Sequence, residues 1–127
     1  MQSNTKRRLL LTFTVALLML IGGYLFLGSE TVAIKERTHQ VSDLLLACKM
    51  YALQHGDTLP KDLRELSPVY SNYPAFFQRA LNEIELVSPG ISETNSSDAV
   101  VLREKTPDRR GRRVVGYLGG QTVVRSE

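Results

Sequence analysis

The sequence has no tryptophan, one cysteine and two histidines. A single thiol, Cys48, closes no internal disulfide, so the staples that hold many small secreted domains together are excluded. Cys48 reads either as a buried, inert side chain or as half of an intermolecular bridge. Without tryptophan, an interfacial aromatic belt would rest on Phe13, Tyr24 and Phe26. His39 and His55 are sixteen residues apart, more than about 20 Å along one helix, so they cannot share a metal. There is no glycine-rich phosphate loop, nucleophile elbow, paired-cysteine motif or His-x-x-x-His. The residues therefore support no catalytic, metal-binding or cofactor-binding site, and the expectation is a protein that is not an enzyme. Glu93 and Asp98 fall in one loop, but two carboxylates lack the dense oxygen set that calcium requires.

What is present begins with a long apolar run. Leu9 to Leu27 carries no charge and is broken only by Thr12, Thr14, Gly22, Gly23 and Tyr24. At about 1.5 Å per residue it just spans a hydrocarbon core of roughly 30 Å. Backbone groups in lipid must bond to one another, so the run should be helical. Residues 1–8 read as a basic cytoplasmic tip and 9–28 as a transmembrane helix. Lys6, Arg7 and Arg8 place the N-terminus in the cytoplasm by the positive-inside rule. A cleaved signal peptide is the rival reading, with its best cut after Ala33. The Gly22-Gly23 pair fits a bend or a close helix contact.

Residues 29–127 then form one extracytoplasmic domain of about a hundred residues, too small for a large core. A helix over 30–55 carries Ile34, Val41, Leu44, Leu45, Cys48 and Ala52 at helical spacing, with Lys35, Glu36, Arg37, Gln40 and Lys49 elsewhere. His55-Gly56-Asp57 stops it, since glycine suits a left-handed terminus. Residues 58–87 are irregular and helical. Lys61–Leu66 is a short helical turn broken by Ser67-Pro68, residues 70–73 are a tyrosine-containing loop, and a helix runs over 74–86. Residues 91–98 form a polar loop.

Residues 98–126 read as a three-stranded antiparallel β-meander. Its strands centre on 100–102, 114–118 and 121–125, and Gly119-Gly120 supplies both positive-φ positions of a two-residue hairpin. Such a sheet needs one face covered, and the stripe of the 30–55 helix matches it. The fold class is thus α+β: a long N-terminal helix, transmembrane then amphipathic, with a small C-terminal meander packed on its outer half.

That order of parts resembles type IV pilin-like proteins, in particular the pseudopilins of type II secretion. The resemblance rests on Tyr51-Ala52 and Gly56 at the helix end, then Leu59-Pro60 and Leu63-Arg64-Glu65-Leu66. It continues in the C-terminal runs from Val100 to Pro107 and from Arg113 to Val123. It implies a pilin-like fold in the bacterial inner (cytoplasmic) membrane, with the outer domain periplasmic. It also implies a structural or accessory role in a secretion or pilus-type system, with pilin-like subunits or secretion machinery as partners besides the lipid bilayer. The prepilin cleavage motif is lacking. Thr12 stands where the family has glycine before Phe13-Thr14, and Leu17 where it has the assembly glutamate. An intramembrane carboxylate is costly unless paired, so losing the processed amine and losing the glutamate are physically consistent.

The remaining charge feature is the turn carrying Arg103, Lys105, Arg109, Arg110, Arg112 and Arg113. It reads as a polyanion- or partner-binding surface, with nucleic acid as one possible ligand, or as a solvated turn that keeps sheet edges from pairing. No aromatic side chain interrupts it to stack on bases.

Overall fold

The computed structural model describes residues 2–126, and it leaves the side chains at 2, 3 and 26–30 undescribed. The expected belt residue Phe26 therefore lies outside the described side chains. The elements are α1 (Gln2–Gln54), a 3₁₀ helix (Leu63–Tyr70), α2 (Pro74–Glu83) and strands β1 (Ile84–Leu86), β2 (Val100–Glu104), β3 (Arg112–Tyr117) and β4 (Thr122–Ser126). The chain is α+β and divides into two units, Met1–Lys35 and Glu36–Glu127.

The first unit is helical, and its large apolar side chains from Leu9 to Leu25 are exposed. The segment Asn4–Leu25 is long and apolar enough to cross a membrane. Its hydroxyls are satisfied within the helix. Thr12 Oγ1 donates to the Arg8 carbonyl and Thr14 Oγ1 to the Leu10 carbonyl, each at 2.8 Å. This back-bonding removes the penalty that an unpaired hydroxyl would carry in lipid.

In the second unit the rest of α1 presents Val41, Leu44, Leu45, Cys48 and Ala52, all buried, to a core completed by Leu59, Leu66, Ile84, Leu102 and Val114. Arg37 lies on this same side, one turn before Val41, although the sequence reading placed it away from the stripe. The helix ends where Gly56 and Asp57 both take positive φ, and the Asp57 N–H reaches back to the Ala52 carbonyl at 2.8 Å. Such a cap satisfies carbonyls that the terminus would otherwise leave open.

Two expected boundaries move. The helical turn at 61–66 is not broken by Ser67-Pro68. A 3₁₀ helix continues to Tyr70, capped by Asp62, whose carboxylate accepts the Arg64 N–H. Pro68 costs that helix one donor, while Leu63, Leu66 and Tyr70 bury along one side and hold the run together. Tyr70 is thus a core residue rather than part of a loop.

The helix expected over 74–86 stops at Glu83, and Ile84–Leu86 becomes a strand. Ile84 satisfies either periodicity. Pairing with β2 (Ile84↔Glu104, Leu86↔Leu102) decides between them, so the sheet has four strands, not three, in the order β1-β2-β3-β4. Tertiary pairing outweighs local helix preference here.

The glycine hairpin also differs. Tyr117 N–H donates to the Gln121 carbonyl and Gly120 N–H to the Tyr117 carbonyl, which encloses three residues, and only Gly120 has positive φ. A turn followed by one left-handed glycine is the common three-residue solution. In β2 the register shifts between Val100 and Leu102. The extra residue at this bulge lets both Val101 and Leu102 be buried.

Candidate functional site

Helix α1 is apolar on a second side that the core does not cover. Leu46, Met50 and Leu53 recur at four and three residues, which puts them on one stripe. Leu46 is 58% and Leu53 74% exposed. Beside this stripe lies a groove of about 700 Å³. Leu46, Ala47 and Met50 line one side, Val69, Tyr70, Tyr73 and Phe76 the other, and Glu36, His39, Gln40 and Asp43 the polar end.

The aromatic wall is fixed from beneath. Tyr70 stacks on Phe77 at a ring separation of 5.1 Å, and its hydroxyl donates to Asp43 Oδ2 at 2.9 Å. Burial raises the Tyr70 phenol well above the ordinary tyrosine range, and the Asp43 carboxylate adds to the shift. The tyrosine therefore stays neutral and keeps donating. An apolar groove with a few placed polar groups suits binding.

The other chemistry-bearing residues are dispersed. His39 lines the groove. His55 stacks on Tyr51 at 3.7 Å, with Nδ1 2.8 Å from the Tyr51 carbonyl oxygen. Burial pushes the Cys48 thiol up to about 12, so little thiolate forms near neutral pH. Among the described residues no group of three His, Cys, Asp or Glu is placed to hold a metal ion. In the loop after β1, the backbone N–H of Glu93 donates to the Asp57 carbonyl, and the N–H of Asp98 to Ser96 Oγ.

The basic turn does not form a single array. Asp108 organises its centre: Oδ1 accepts the N–H groups of Arg110 and Arg112, and Oδ2 accepts Arg112 Nε and Arg37 Nη1. The Arg112 backbone N–H, with the guanidiniums of Arg37 and Arg112 also acting, holds the Asp108 carboxyl far below the usual carboxylate range. Lys105 Nζ donates to the Leu81 carbonyl at 2.8 Å. Arg109 is exposed at the tip. Arg103 and Arg113 leave the turn altogether and lie on the outer face of the sheet, around a hollow shared with Arg125. Lys6, Arg7 and Arg8, the topology signal, are exposed on the first turns of α1.

Two features went unread in the sequence. Leu46, Met50 and Leu53 repeat at helical spacing beside the recognised stripe, which marks a helix apolar on two sides. Arg113 and Arg125 are symmetric about Gly119, so any hairpin turning there brings them opposite each other. Comparison with protein families, characterised proteins and solved structures finds no match for the chain.

Proposed function

We propose that this chain is a membrane-anchored, pseudopilin-like structural or accessory subunit of a secretion or pilus-type system, without catalytic activity. It acts by helix association and by surface contacts of its outer unit. It sits in the bacterial cytoplasmic membrane with Lys6, Arg7 and Arg8 inside and the α+β unit in the periplasm. Because Thr12 and Leu17 replace the residues that processing and assembly need, the chain works with its N-terminus uncleaved. One observation carries the reading: α1 keeps Leu46, Met50 and Leu53 exposed beside an aromatic groove. A small domain gains little by leaving such a stripe to water, and a partner helix laid along it would bury it. The occupant is the apolar helix stripe of another pilin-like subunit.

The test places a photoreactive side chain at Leu46, Met50 or Leu53 in the full chain and irradiates intact membranes. Crosslinks to the helix of a pilin-like subunit, abolished by Leu46→Asp with Leu53→Asp, are the expected result. A chain that stays monomeric at every position overturns the proposal. The intact mass of the membrane-extracted protein checks the uncleaved N-terminus separately.

A further inference from the structure

The groove beside α1 ends in polar side chains whose hydrogen-bonding capacity is only partly used. Glu36, His39, Gln40 and Asp43 fall at helical spacing, so they share one side of α1, and all four line the groove. Gln40 is only 9% exposed, yet its carboxamide has no hydrogen-bond partner among the described residues. Buried amides are nearly always satisfied, because an unpaired one forfeits its bonds to water. Beside it stand two carboxylates, Glu36 and Asp43, and no lysine or arginine lines the groove among the described residues. Arg37, next to Glu36 in sequence, is held by Glu104 and Asp108 instead. Asp43 uses Oδ2 for the Tyr70 hydroxyl, which leaves Oδ1 for another donor.

We infer that this end of the groove is a subsite for an arginine side chain carried by the docked partner helix, an inference that rests on the helix contact proposed above. The two carboxylates call for a cation, and the buried Gln40 carbonyl calls for a donor. A guanidinium supplies both, since its planar fork presents five N–H groups to several acceptors at once. A lysine ammonium is a point charge with no plane to match them. The opposite wall favours the same group. Tyr70 and Phe76 lie 5.5 Å apart with their rings tilted by 33°, and Tyr73 beside them is 66% exposed. Aromatic faces of this kind stack on a guanidinium. Leu46 and Met50 then cover its methylene stem. Gln40 precedes Leu46 by six residues, so the partner's arginine lies within about two turns of the residues that cover Leu46. A second copy of this chain does not fit, because the arginine of α1 in this unit, Arg37, is already engaged. The occupant is therefore a different subunit.

The experiment titrates N-acetyl-leucyl-argininamide into the full chain in detergent micelles and follows the glutamine side-chain amides by NMR. The Gln40 pair, identified by its loss in Gln40→Leu, should shift and saturate. The citrulline analogue has the same shape without the charge and should bind about tenfold more weakly, the scale of one charge-assisted contact. Glu36→Gln should weaken the arginine peptide by a similar factor, whereas Glu93→Gln, in the loop after β1, should leave it unchanged. Photocrosslinking from Leu46, Met50 and Leu53 should fall when Glu36→Gln and Gln40→Leu are combined in a chain with native circular dichroism. Equal affinity for the arginine and citrulline peptides overturns the subsite. So does a Gln40 amide that never shifts up to the solubility of the peptide, and undiminished crosslinks in that case leave the helix contact standing. Saturable, citrulline-sensitive binding without any crosslink supports the subsite and removes the helix contact.

Discussion

Arg37 Nη2 lies 2.7 Å from Glu104 Oε1, and the same guanidinium reaches Asp108 Oδ2 at 3.0 Å. Glu104 points from β2 toward α1, is buried, and also accepts the Val114 N–H at 2.7 Å. The pair thus ties α1 to both the sheet and the basic turn. The guanidinium holds its proton more tightly than usual, chiefly through its hydrogen bond to Glu104. Removing one partner leaves a buried carboxylate short of its counter-charge. Arg37→Met should cost about 2–3 kcal/mol, the low end for a broken buried pair because part of the guanidinium meets solvent. Denaturant unfolding of the full chain in detergent measures it. Arg37→Met with Glu104→Leu should cost clearly less than the two single losses added together, as coupled neighbours do.

The same cluster predicts an acid-sensitive unit. The folded-state pKa of Asp108 is depressed, first by the Arg112 backbone N–H and then by Arg37 and the Arg110 N–H. A depressed carboxyl contributes its stability in full above the ordinary carboxylate pKa, near about 4, and loses it as pH falls toward the lower folded value. Unfolding midpoints should therefore be flat from neutral pH down to about 5 and decline steadily below that. Asp108→Asn keeps a side-chain oxygen for the two N–H groups but has no titration. Its midpoints should start lower at neutral pH and slope less in acid. Equal slopes for the two proteins would remove Asp108 from the account.

The α+β class, the apolar N-terminal helix and three of the four strands were legible because each depends on local pattern. Val41, Leu44, Leu45, Cys48 and Ala52 repeat at helical spacing, and the C-terminal valines cluster between turn residues. What escaped depends on distant partners. Ile84–Leu86 is a strand only because β2 stands beside it, and its own residues extend the pattern of α2 equally well. Arg37 reads as a solvent-facing charge until Glu104, sixty-seven residues away, is placed against it. The basic turn looked like one surface because its residues are adjacent in sequence. Strand alternation sends Arg103 and Arg113 to one side, while Asp108 gathers Arg112 inward. The left-handed cap at Gly56 was readable from composition, but the three-residue loop at Gly120 required the ladder register on both sides.

Cys48 should be chemically silent in the folded protein. It is fully buried, and burial pushes its thiol up to about 12. Alkylation by iodoacetamide near pH 8 should be slow in native protein and rapid after denaturation, since the thiolate is the reacting species. Mass spectrometry of the intact chain reads the modified fraction directly. Rapid labelling of the native protein would show that the core opens around α1. Cys48→Ser should destabilise more than Cys48→Ala, because the hydroxyl would be buried among Leu44, Leu45 and Leu102 with its desolvation to offset.

Gly116 sets how closely α1 approaches the sheet. It lies in β3 opposite Leu102, with backbone φ in the ordinary range, so no turn requires glycine there. Space requires it instead. A Cβ at this position would stand 3.2 Å from Val41 Cγ1, 3.5 Å from Leu45 Cδ2 and 3.6 Å from Leu102 Cβ. Both helix contacts come from the buried stripe, and the Ser42 and Thr122 hydroxyls meet at 2.9 Å beside it. One added methyl must push Val41 by a few tenths of an ångström. Gly116→Ala should cost about 1 kcal/mol, the gain from a stiffer strand offsetting part of the overpacking. Gly116→Val should cost about 2–3 kcal/mol, because the branched side chain cannot be absorbed without moving α1 outward. Pairing it with Val41→Ala should recover much of that loss, and urea midpoints of the three proteins measure the recovery. If Val41→Ala instead adds its full cost to Gly116→Val, the helix does not rest on the sheet at this glycine.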